Sequence, residues 1–164
     1  MRNGMKLAAG LLGCAALAAP ALAERIMAPP TPNFVVGYNA SNAQMQMVEL
    51  VPKGQTVQAW TTMITTQRMI GMKVPAATFL TELSKKLSAA CPKGSATAVP
   101  MGGSAGLRYD CRMNTATGKM ETTFARAING PNDLYVVQVA YRSLAMPKEA
   151  GWAREYLGNV RLMP

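Results

Sequence analysis

The sequence predicts an α+β domain: an antiparallel sheet of about five to six strands, two main helices packed on one of its faces, and one disulfide joining a helix to a strand. Three observations carry this prediction. Several stretches alternate apolar and polar residues between Asn-, Gly- and Pro-rich turns. One stretch instead repeats its apolar residues every three or four positions. Finally, two cysteines, Cys91 and Cys111, fall on the inward faces of such a helix and of a later strand.

Residues 1–23 precede the fold and read as a signal peptide. Arg2 and Lys6 form a basic start, an apolar alanine- and leucine-rich core follows, and Ala21-Leu22-Ala23 ends in the small-x-small pattern of a cleavage site. Cleavage before Glu24 is expected, with a periplasmic or secreted product. Leu11-Leu12-Gly13-Cys14 also resembles a lipobox that would lipidate Cys14, but the apolar run continues past that cysteine, which favours ordinary export. No later apolar run reaches about 20 residues, so no transmembrane segment is expected in the mature form.

Residues 24–33, with three prolines and no periodicity, are expected as an extended N-terminal arm. Residues 34–164 then form a single domain. Phe34 to Tyr38 and Gln44 to Val51 read as strands separated by an Asn-Ala-Ser-Asn turn, and Val48 and Leu50 suggest either a bulge or two-sided burial in the second. Thr61 to Met69 is rich in β-branched residues and reads as a strand, with Trp60 packed in the core under the first helix. Pro75 to Ala90 is the first helix: Ala76, Phe79, Leu80, Leu83 and Leu87 form its stripe, and Pro92 and Gly94 stop it.

Extending that stripe by four residues reaches Cys91. On the strand Leu107 to Met113, Leu107, Tyr109, Cys111 and Met113 share a face. A Cys91–Cys111 disulfide is the simplest use of an isolated pair in an exported chain. Asn114 to Gly118 is a hairpin turn, Met120 to Ile128 a strand, and Leu134 to Arg142 a strand apolar on both faces and therefore central. Pro147 opens the second helix, which runs to about Leu157.

The formal charge of the full chain is +9, and removal of Arg2 and Lys6 leaves +7. Such a surface favours anionic partners. The basic residues are scattered, so no nucleic-acid site is expected. The threonine row Thr62 and Thr66, ending in Arg68, is expected as an exposed contact face, joined by Arg108 and Arg112 from the outward side of the later strand. With no histidine in the chain, His-dependent nucleophiles and His-ligated metals are excluded. Ser84-Lys85 sits on the polar helix face, and Gly102-Gly103-Ser104-Ala105-Gly106 lacks the following helix of a phosphate loop. No enzymatic constellation emerges, and no cofactor is expected.

The expected function is therefore that of a non-enzymatic, exported binding or accessory protein whose basic surface meets an anionic envelope component or protein. Two alternatives stand beside it. Met45 and Met47 place two thioethers on one strand face, which suits Cu(I), and the eight carboxylates of the chain leave room for a carboxylate-dependent hydrolase.

The run VPKGQTVQAWTTMITTQ, followed by a helix, a Cys-Pro at its end and Tyr-x-Cys on the next strand, resembles small uncharacterised exported proteins of Gram-negative bacteria. These couple a Pro-x-Gly-x-Thr/Ser turn to a Trp-Thr-x-Met-Ile-Thr motif. The element order is also similar to the PsbP-like α+β fold. That resemblance implies a role as an accessory or binding module and supplies no catalytic residues.

Overall fold

The computed structural model describes residues 24–163; the expected signal peptide, its cleavage site and Cys14 lie outside them. The described chain runs β1 (Arg25–Met27), β2 (Phe34–Ser41), β3 (Met45–Pro52), β4 (Thr62–Met69), α1 (Ala76–Ala90), β5 (Ser95–Met101), β6 (Ser104–Cys111), β7 (Glu121–Asn129), β8 (Leu134–Tyr141), α2 (Pro147–Gly158) and β9 (Arg161–Met163). Seven strands form one antiparallel sheet in the order β2-β3-β4-β8-β7-β6-β5, while β1 and β9 pair as a separate two-stranded ribbon.

The sheet is one strand larger than expected because of β5. Its sequence, SATAVPM, offers no apolar alternation, since it lies at an edge and most of its side chains are exposed. It pairs with β6 across a turn at Gly102 and Gly103, both at positive φ. A side chain at Gly102 would collide with the Gly158 carbonyl, so the glycine there serves close packing against the end of α2.

β8 occupies the middle of the sheet, bonded to β4 on one side and β7 on the other. Its two-sided apolar pattern corrects the expected placement of the helices. Val137, Val139 and Tyr141 face α2, where they meet Ala150, Ala153, Tyr156 and Leu157. Leu134 and Val136 face the other way, against Ala76, Phe79 and Leu80 of α1. The two helices therefore cover opposite faces, because a strand apolar on both sides needs both covered.

α1 is amphipathic, yet none of its residues is fully buried. It is anchored at its two ends. At the start, Asn129 accepts the Ala76 N–H and donates to the Val74 carbonyl, both at 2.8 Å. At the end, Cys91 is bonded to Cys111 with Cα atoms 5.8 Å apart, and the Tyr109 hydroxyl donates to the Cys91 carbonyl at 2.9 Å. The helix-to-strand staple expected from the cysteine phases is thus present.

α2 has better burial and an electrostatic lock at its C-terminus. An Arg126 terminal nitrogen donates to the carbonyls of Leu157, Gly158 and Val160 at 2.6, 3.2 and 3.0 Å. Arg161 donates to two of the same carbonyls. Two guanidinium groups therefore meet the negative end of the helix dipole.

Three local expectations are also corrected. The bulge lies in β2, where the register shifts around Gly37, whereas β3 pairs without a shift and is at least half-buried on both faces from Glu49 to Pro52, the two-sided burial the sequence also allowed; a side chain at Gly37 would press on Val51 and Val57 at 3.0 Å. Arg25–Met27 of the expected arm is a strand held by β9. Trp60 is half-buried, with the Arg142 guanidinium carbon 4.1 Å from its ring centroid, and belongs to none of the buried clusters.

Candidate functional site

α2 has only twelve residues, and it packs on β5, β7 and β8. Its cluster takes in Ile64 and Leu50 at one end of β4 and β3 and leaves the other end of that pair open, with Gln46, Val48, Thr66 and Arg68. The register places Gln46, Arg68 and Tyr135 in one row across β3, β4 and β8, and puts Val48 beside Thr66 in the next row. The β1–β9 ribbon stands against this surface, contributing Arg25 and Ile26, with Glu24 just before it. Together these residues line a cleft of about 470 Å³.

Arg68 is the organised cation of the cleft. Its Nε donates to Asp133 at 2.6 Å, and that carboxylate also accepts the Gly71 N–H at 2.8 Å. Asp133 is 3% exposed. The Gly71 N–H, and then the Arg68 guanidinium, hold the Asp133 carboxyl below the usual carboxylate range against the opposing effect of burial. The same bond to Asp133 pushes the Arg68 pKa up. Among the described residues, no hydrogen bond engages the terminal nitrogens of Arg68. A buried acid thus orients the guanidinium by one edge and leaves the fork that suits a carboxylate or phosphate unengaged.

Glu24 shares the cleft, its carboxylate 3.4 Å from the Tyr135 hydroxyl. Ile26 and Val48 supply an apolar wall beside the polar groups. The arrangement can hold an anionic group next to an apolar one, and Glu24 is an internal competitor for the same cations.

The other expected contact residues lie elsewhere. Thr62 is on the same sheet face but lines a separate depression with Phe34, Tyr141 and the 38%-exposed Trp152. Arg108 is already committed: it grips Asp110 through two bonds of 2.7 and 3.0 Å and lies 5.4 Å from the Phe124 ring centroid. Arg112 is exposed beyond the end of β6. Arg108 lies on the same sheet face as Thr66 and Arg68, in the row of Phe124, Val139 and Ile64, but β7 and β8 separate it from β4, so it lines no common cleft with them.

On the opposite face, a second cleft of about 470 Å³ separates α1 from the β5–β6 hairpin, lined mainly by small residues such as Ala77, Ala98 and Ala105. Ser84 lines it, but Lys85 is turned to Glu82 at 2.8 Å, which gives no serine–lysine pair. Four of the eight carboxylates, Glu82, Asp110, Glu121 and Asp133, form ion pairs. Met45 and Met47 project from the α1 side of β3, at 3.8 and 3.4 Å from the Gln67 amide nitrogen. Sequence reading missed Glu24, Arg25, Gln46 and Tyr135 as lining of the cleft and Asp133 as the acid that orients Arg68. The one local signal was Asp133 in the turn before β8, whose acid is spent on Arg68 rather than on the turn.

Among the described residues, no helix is long and apolar enough to cross a membrane. No protein-family model matches the chain, and no curated protein sequence matches it. A solved structure of a mutant of the protein Mog1 is similar at a TM-score of 0.48 and 11% sequence identity, over 81% of this chain and 80% of that one.

Proposed function

We propose that this chain is a non-enzymatic, exported binding or accessory protein, and that its partner is an anionic amphiphile of the cell envelope. The phosphate or carboxylate of that partner sits against Arg68 and Arg25, and its apolar portion lies along Ile26 and Val48. The observation that carries this reading is the pre-oriented Arg68, which lines an open cleft and is held through Nε by the buried Asp133. Orientation by the protein lowers the entropic cost of binding, and the two-pronged guanidinium adds geometric selectivity for planar or tetrahedral anions. The positive charge of the chain favours approach to an anionic surface. That four of the eight carboxylates are engaged in ion pairs supports the non-enzymatic part.

The test is sedimentation of the mature protein with vesicles of phosphatidylglycerol or of phosphatidylcholine. Retention is expected on the anionic vesicles only, falling as salt rises from about 0.05 to 0.5 M. Arg68→Gln and, separately, Arg25→Gln should weaken it, whereas Lys86→Gln, an exposed charge on α1, should not. Arg25 is exposed, so its substitution keeps the test valid even if loss of Arg68 unsettles Asp133. Equal retention on both lipids, or equal loss with all three variants, would reject the cleft as the binding site.

A further inference from the structure

The sheet face opposite the Arg68 cleft carries a second grouping of different chemistry. Antiparallel pairing sets Met45 of β3 directly across from Met69 of β4, and Met47 directly across from Gln67. All four side chains are half-buried and lie on the α1 side. Directly opposed residues have Cβ atoms about 5 Å apart, so the four form a compact rectangle. Within it, the Gln67 Nε2 lies 3.4 Å from the Met47 sulfur and 3.8 Å from the Met45 sulfur. Two thioethers therefore lie within reach of one shared donor. The Gln67 oxygen faces Gln138 at 3.5 Å.

We infer that this rectangle is a binding site for a soft monovalent cation, Cu(I) or Ag(I), ligated by the sulfurs of Met45, Met47 and Met69. A thioether accepts a hydrogen bond only weakly, so the Gln67 amide holds the sulfurs together at little cost to a metal that displaces it. Soft cations prefer such sulfur donors. The chain has no histidine, and Cys91 and Cys111 are joined to each other, so no imidazole or thiolate competes with the thioethers on this face. Glu49 follows Met47 on the same strand face, half-buried, and its carboxylate adds a negative field beside the sulfurs. Met72 packs with Met69 against Leu134 and Val136, beside the Met69 end of the group. Binding at this site needs no redox step, since the ion is bound in the oxidation state supplied.

Two measurements test the site. In protein carrying ¹³C-methyl methionine, one equivalent of Ag(I) should shift the methyl resonances of Met45, Met47 and Met69 and leave those of exposed Met113 and Met146 in place. In competition with bicinchoninate under anaerobic conditions, the protein should take up Cu(I), and Met45→Leu/Met47→Leu should lose on the order of tenfold or more in affinity. Leucine conserves the apolar volume, so this variant is expected to fold. Arg68→Gln should bind Cu(I) as the unaltered protein does, which keeps the result separate from that for the anion cleft. Failure of the unaltered protein to compete, equal competition by the double variant, or equal shifts of all methionine methyls would each overturn the inference.

Discussion

Replacing Cys91 and Cys111 together with alanine is predicted to lower stability by about 3 kcal/mol, through a mechanism that the structure makes specific. The bridge spans a sequence separation of 20. In the chain-entropy account, a closed loop of about that length removes enough freedom from the unfolded chain to be worth roughly 3 kcal/mol at 25 °C. For a chain of this size that corresponds to a fall in melting temperature of about 10 °C. Both cysteines are buried, but each loses only a sulfur, so the cavity contribution is small beside the loop contribution. α1 has no fully buried residue to compensate for the lost anchor. Amide exchange should therefore rise first in residues 83–91 and later in β7 and β8. Calorimetry and hydrogen exchange on the two proteins check both parts. A fall of less than about 3 °C, with unchanged protection in α1, would refute the argument, because packing and the Tyr109–Cys91 hydrogen bond would then suffice to hold the helix.

Three further outcomes are expected. Arg126→Met should cost about 2 kcal/mol in urea unfolding, since the α2 carbonyls lose a charged donor; loss of protection should be confined to residues 147–163. The Asp133 carboxyl titrates below its unfolded value of about 3.9, so the stability it contributes is present above that pH and is lost as pH falls through the folded value. Asp133→Asn should accordingly flatten the acid limb of the stability profile below about pH 4, and an unchanged limb would remove Asp133 from that account. Glu24→Gln should tighten retention on phosphatidylglycerol vesicles about fivefold, near 1 kcal/mol, by removing an internal anion from the Arg68 cleft; weaker retention would show that Glu24 orders the site instead.

The elements whose pattern is local are legible in the order of residues alone. The stripe of Ala76, Phe79, Leu80, Leu83 and Leu87 specifies α1, its phase points Cys91 inward, and the alternation of Leu107, Tyr109 and Cys111 points the second cysteine to meet it. The two-sided LYVVQVAY specifies a central strand. Which sheet face each helix covers emerges from the folded chain alone, because amphipathicity defines a helix's apolar side without saying which surface receives it. The fold alone also reveals β5, whose exposed edge carries no alternation, and the β1–β9 ribbon, whose three-residue strands lie at opposite ends of the described chain. The Arg68 cleft belongs to the same class. Glu24, Gln46, Arg68, Asp133 and Tyr135 come from four distant stretches of chain, each chemically ordinary in its own segment. Their convergence follows from strand order and from the short reach of α2, and neither quantity is encoded in any single window of sequence.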